Sequence, residues 1–143
     1  MSIKISATNF VIMNNTFKTG DTKTYIKVVS LADIATFESG TVHSVYATFS
    51  IARDAEWACR LFVLAMKEDN EEGIGTFVHV NHHAPALVND TVVFIATIEA
   101  INGNEIICSF TAHVGNRLIA NGRQGQKILK KEKIERLFNT LQS

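Results

Sequence analysis

The stretch TFSIARDAEWACRLFVLAM, residues 48–66, decides how the rest of the chain is read. Its second half, WACRLFVLAM, is broken by a single charge, Arg60. A helix with almost no polar face is one buried on most sides. The segment that follows, KEDNEEG at residues 67–73, ends it in a solvated loop, with Gly73 and Gly75 as breakers.

After that helix the pattern is β almost to the end. Residues 75–84 (GTFVHVNHHA) alternate and stop at Pro85, the sole proline. Residues 91–101 (TVVFIATIEAI) turn at Asn102-Gly103 into residues 105–114, and Gly115-Asn116 turns these into residues 117–129. The tail, residues 130–143, spaces Ile134, Leu137, Phe138 and Leu141 as a short amphipathic capping helix. Ahead of the long helix, residues 22–29 (TKTYIKVV) alternate as a first strand. Residues 31–45 show no clean period and read as a loop with a turn of helix near Asp33. Residues 1–20 form a weakly docked arm whose apolar knot is Phe10, Val11 and Ile12.

One helix followed by four strands on short turns predicts an α+β domain. In it, a strongly curved antiparallel sheet wraps around one central buried helix, the hotdog fold. At 143 residues, with 46% hydrophobic content, the chain is a single domain over residues 1–143 with enough core to fold unaided. Fourteen Lys and Arg balance fourteen Asp and Glu. Such a surface offers no global field for a phosphate backbone or an anionic membrane, so neither partner is expected. Two isolated cysteines, Cys59 and Cys108, and the lack of an apolar leader point to a reducing, cytoplasmic setting. Exposed sheet edges predict a homodimer or higher homo-oligomer.

Glu56, beside Trp57 early in the helix, is the first residue to explain. Buried there, a carboxylate loses solvation. It is then either paired with Arg60 or Arg53 one turn away, or held in a dry site as a base or nucleophile. Thr48 serves as an N-cap, or places its hydroxyl where the helix dipole favours an oxyanion; the two roles are compatible. Alternation puts His79, Asn81 and His83 on one strand face and His82 on the other, toward the helix. No acidic or cysteine ligand accompanies the histidines, so no metal site is expected. Gly73-Ile-Gly75 precedes a strand and lacks a third glycine, so it reads as a turn rather than a dinucleotide loop. The lysines at 127, 130, 131 and 133, diluted by Glu132 and Glu135, read as a solvated face or, alternatively, a contact for a phosphorylated cofactor.

The segments ATFSIARDAEWA and GTFVHVNHHA, with Thr48, Glu56, Gly75 and His82 in register, resemble the fluoroacetyl-CoA thioesterase-like branch of the hotdog thioesterases. The resemblance covers residues 47–129. It implies Thr48, Glu56 and His82 as catalytic, the Gly75 amide as a contact to the thioester oxygen, an acyl-CoA as substrate, and no cofactor beyond the CoA the substrate carries. Two departures argue against fluoroacetyl-CoA itself. The lead-in GTVHSVY lacks the bulky phenylalanines of the family's selective lid, and the strand at residues 124–127 lacks its His-Glu-Arg run.

A thiolate leaves readily, so hydrolysis needs only an activated water or a carboxylate nucleophile and a place for the oxyanion. The expected activity is acyl-CoA hydrolysis to free acid and CoA. Three other readings stay open: a hotdog hydratase or dehydratase, although the helix has no histidine; a non-catalytic acyl-CoA or lipid-binding module; and a protein-interaction module.

Overall fold

The computed structural model describes residues 16–142. The apolar knot at residues 10–12 lies outside them. Five antiparallel strands form one sheet in the order β1 (Thr22–Val28), β5 (Thr91–Asn102), β6 (Glu105–Val114), β7 (Arg117–Lys130), β4 (Glu71–His82). β1 and β4 are its two edges. The helix α1 (Thr48–Met66) packs against all five strands, as the hotdog arrangement requires. Its inward face carries Ile51, Ala55, Ala58, Cys59, Phe62 and Met66 into Phe94, Ile98, Ile106 and Phe110 of the sheet. Each large apolar side chain so buried contributes roughly 1.5–3 kcal/mol of transfer free energy. Gly103 and Gly115 take positive φ, 63° and 56°, at the two expected hairpin turns. Among the described residues no helix is long and apolar enough to cross a membrane.

Four expectations change. The segment read as a loop is a 3-10 turn (Leu31–Asp33) followed by a hairpin of β2 (Ile34–Phe37) and β3 (Gly40–Tyr46). β3 is exposed until its last two residues, and the pairing register shifts twice, so no buried face imposed an alternation that sequence could display. β4 begins at Glu71 rather than Gly75, because the Glu71 carboxylate closes the turn by accepting from the Glu68 amide (2.9 Å) and is itself buried. α1 is not covered all round: the sheet takes one side, and Phe49, Trp57 and Leu64 stay exposed on the other. None of the residues of the tail helix α2 (Lys131–Thr140) is buried, so its contact with β7 is peripheral rather than a cap on the core.

A charged network fastens the hairpin to α1. Asp33, 1% exposed, accepts from Arg53 Nη2 (2.6 Å), from the Ser30 amide (2.8 Å) and from the Ser30 hydroxyl (2.9 Å), with Lys27 Nζ at 3.3 Å. Arg53 also holds Asp54 (3.0 Å), which accepts the Tyr46 hydroxyl at 2.5 Å. The Ala47 amide donates to the Asp33 carbonyl (2.9 Å), so the residue preceding Thr48 is tied to the same knot. Burial alone would raise the Asp33 carboxyl. The bonds from Arg53, Ser30 and Lys27 outweigh it and hold the group well below its ordinary value of 3.8.

A depressed folded-state value stabilises the fold above the unfolded-state value and loses that contribution as pH falls below it. Asp33→Asn should therefore cost about 3 kcal/mol at pH 7. Denaturant unfolding of both proteins should show the gap narrowing progressively below pH 3.8; a gap constant from pH 7 to about pH 2 contradicts this account of Asp33.

Candidate active site

α1 runs antiparallel to β4, and the expected site residues meet in two pairs along this seam. At the start of the helix, Thr48 Oγ1 lies 2.8 Å from His82 Nδ1. The helix is capped at Ala47 with no side-chain cap bond, so Thr48 spends its hydroxyl on the histidine rather than on the helix end. Two turns further on, the Glu56 carboxylate lies directly on the backbone of Gly75: a Cβ there would sit 2.6 Å from Oε1. Gly73 makes the same allowance for Val63, whose Cγ1 would be 2.6 Å from its Cβ. Among the described residues no hydrogen bond joins the two pairs. The eight-residue step from Thr48 to Glu56 separates them by about 12 Å along the helix.

Neither arginine near Glu56 is its partner. Arg60 donates to Glu72 (2.5 Å) and to the Gly73 carbonyl (3.3 Å), and Arg53 is committed to Asp33 and Asp54. Glu56 instead accepts from an amide, Gln124 Nε2 at 3.2 Å. Gln126 Nε2 donates in turn to Gln124 Oε1 (3.0 Å) and lies 3.4 Å from the Glu56 carbonyl oxygen. Both glutamines are buried, 1% and 2% exposed, on the inner face of β7. Sequence reasoning missed them. The one available signal was their spacing: two apart in GRQGQK, they share a strand face with the core residue Ile128.

The dry surroundings expected for Glu56 are not supplied by the described residues. Glu56, Thr48, Gly75 and His82 are all exposed, because β4 is an edge and nothing among the described residues covers the seam. Beside Thr48, Phe49 stacks edge-on with Phe37 of the hairpin (5.5 Å), giving that end of the seam an aromatic wall. On the opposite sheet face His83 Nε2 lies 2.8 Å from Asn121 Oδ1, away from Glu56, and among the described residues no three ligating side chains converge as a metal would need. The lysine run is divided, with Lys130 buried and Lys127, Lys131 and Lys133 exposed. An exposed carboxylate free of a cation, a histidine–hydroxyl pair and a strand amide on one open seam are the parts that addition of water to a carbonyl requires.

A family model described as fluoroacetyl-CoA-specific thioesterase matches residues 29–132. Among solved structures, a hypothetical protein of Thermus thermophilus, a thioesterase superfamily member, is 35% identical, with a TM-score of 0.85 over 90% of this chain and 95% of that one. A fluoroacetyl-CoA thioesterase is 22% identical, with a TM-score of 0.81 over 88% of this chain and 98% of that one. A hot-dog-like protein from Thermanaerovibrio acidaminovorans is 20% identical, with a TM-score of 0.78 over 87% and 93%. No curated protein matches the chain.

Two glycines, Gly75 in β4 and Gly122 in β7, allow a contrast. At Gly75 the obstacle to a Cβ is the free end of Glu56, which can swing away, so Gly75→Ala should cost less than about 1 kcal/mol while moving the carboxylate off Gln124. At Gly122 the obstacle is the His79 carbonyl oxygen at 1.8 Å, and Gly122→Ala should cost about 3 kcal/mol or more. Denaturant unfolding of the two variants checks the difference; equal costs contradict it.

Proposed function

Because the chain belongs to the fluoroacetyl-CoA-specific thioesterase family, whose members are thioester hydrolases, we propose that it hydrolyses an acyl-CoA to the free acid and CoA, using Glu56, His82, Thr48 and Gly75. The observation that carries this reading is the Glu56 carboxylate, which lies on the Gly75 backbone while both nearby arginines are bound elsewhere. A carboxylate kept only for an ion pair would have taken one of them.

In the proposed reaction Glu56 removes a proton from water as its oxygen attacks the thioester carbonyl. The oxyanion is held by the Gly75 amide, and His82, hydrogen-bonded to Thr48, orients and polarises the carbonyl. Collapse breaks the C–S bond, and the CoA thiolate takes the proton that Glu56 received. In a variant of the scheme, Glu56 attacks the carbonyl directly, breaking the C–S bond and expelling the CoA thiolate; water then hydrolyses the resulting anhydride to the free acid and the Glu56 carboxylate, one of its protons passing to the thiolate. CoA enters as part of the substrate, and no resident cofactor is called for.

The working form we propose is a homodimer paired through β4. The edge carries exposed Phe77 and Val78, which an antiparallel β4 pairing about a twofold axis would bury. An axis passing between Val78 and His79 sets Gly75 opposite the partner's His82, so each complete site draws Glu56 from one chain and His82 with Thr48 from the other. Such pairing also supplies the cover that a single chain leaves off Glu56.

Free-thiol release from a panel running from acetyl- to long-chain and aryl-CoA tests the activity. Glu56→Gln should lose about 10²-fold or more in kcat on whichever member is turned over. A loss within a few-fold rejects Glu56 as base or nucleophile, and clear binding with no turnover on any member favours a binding module instead. Mixing inactive Glu56→Gln and His82→Ala proteins should restore roughly a quarter of wild-type activity, since each mixed dimer then holds one intact site. No restoration rejects the composite site.

A further inference from the structure

We propose that Gln124 is a positioning residue for Glu56, and that Gln126 holds Gln124 in its working orientation. The inference rests on Glu56 acting as proposed above, and it adds two residues that the family resemblance does not supply.

Two buried glutamines are a costly way to fill the inner face of a strand. Each amide leaves water and is tolerated only when its polar atoms are bonded. The neighbouring inward positions of β7 use Ile119 and Ile128, which fill space without that cost. What the glutamines add is a chain of donors with one direction. Gln126 Nε2 donates to Gln124 Oε1, which fixes the Gln124 amide so that its Nε2 faces Glu56 Oε1 (3.2 Å) and the Gly125 carbonyl (3.0 Å). The reversed amide would set its carbonyl against both the Glu56 carboxylate and the Gly125 oxygen. Serial amides polarise one another, so the terminal N–H is a stronger donor than a lone one.

The consequence for Glu56 is geometric. With Oε1 engaged by Gln124 and the carboxylate resting on Gly75, the side chain has one seat, and Oε2 keeps its lone pairs for the proton of the attacking water. The support is also neutral: among the described residues no cation contacts the Glu56 carboxylate.

The test uses Gln124→Met and Gln126→Met, which keep the volume and remove the donors, alone and combined. On an acyl-CoA turned over by the wild type, Gln124→Met should lower kcat by about 10- to 100-fold with KM within about 3-fold. Gln126→Met should lower kcat by less, and the double variant should be no worse than Gln124→Met, because Gln126 touches Glu56 only at its backbone carbonyl and reaches the carboxylate through Gln124. Multiplying losses, or a Gln124→Met kcat within twofold of wild type while Glu56→Gln is inactive, overturn the inference and leave the proposed function standing. Full activity of Glu56→Gln overturns the proposed function itself. A readout independent of turnover is the side-chain amide resonance of Gln124 in ¹⁵N-labelled protein. It should move between the wild type and Glu56→Ala, which removes the acceptor; an unchanged resonance overturns the contact whatever the enzyme hydrolyses.

Discussion

The closeness of α1 to β4 governs the rest of the molecule. A helix crosses a sheet at a distance set by the side chains between them, and here two of those side chains are missing. Gly73 admits Val63 and Gly75 admits the Glu56 carboxylate, each to where a Cβ would stand 2.6 Å away. With the axis drawn in, Thr48 reaches His82 at the other end of the seam, and both pairs follow from one approach. The two glycines are needed for the space they leave, since neither adopts a positive φ.

Charge is distributed to leave that seam clear. Arg53 is drawn into the knot with Asp33 and Asp54, and Arg60 into a bond with Glu72, so the two cations a helix would ordinarily offer Glu56 are spent on structure. Buried amides hold the carboxylate in their place. The exchange orients the carboxylate with no cation against it.

The same arginine links the site to the hairpin. Arg53 bridges from α1 to Asp33, and the Ala47 amide donates to the Asp33 carbonyl, so the start of the helix and the 3-10 turn move as one piece. Phe37 on that hairpin stacks with Phe49 next to Thr48. Hairpin, helix start and the open edge of β4 therefore converge on one surface, which belongs to the substrate and the second copy in our proposal.

Local pattern determined the elements that bury one face. The apolar run of residues 48–66, the alternation of β5 and β6, and the Asn102-Gly103 and Gly115-Asn116 turns are written in periods of 3.6 and 2 that need no knowledge of neighbours. Thr48, Glu56, Gly75 and His82 were picked out together by the family resemblance rather than by period, and the structure sets Thr48 with His82 and Glu56 with Gly75. Tertiary structure alone decided what has no period or depends on distant partners. The β2–β3 hairpin is solvated for most of its length and shifted in register, so no pattern announces it. The partners of Glu56 depend on which cations acids far off in sequence have claimed, and the glutamines 68 and 70 residues from Glu56 meet it only because β7 pairs with β4 beneath the helix. A sequence records each residue's own preference; competition among several partners for one carboxylate is settled only once the chain has folded.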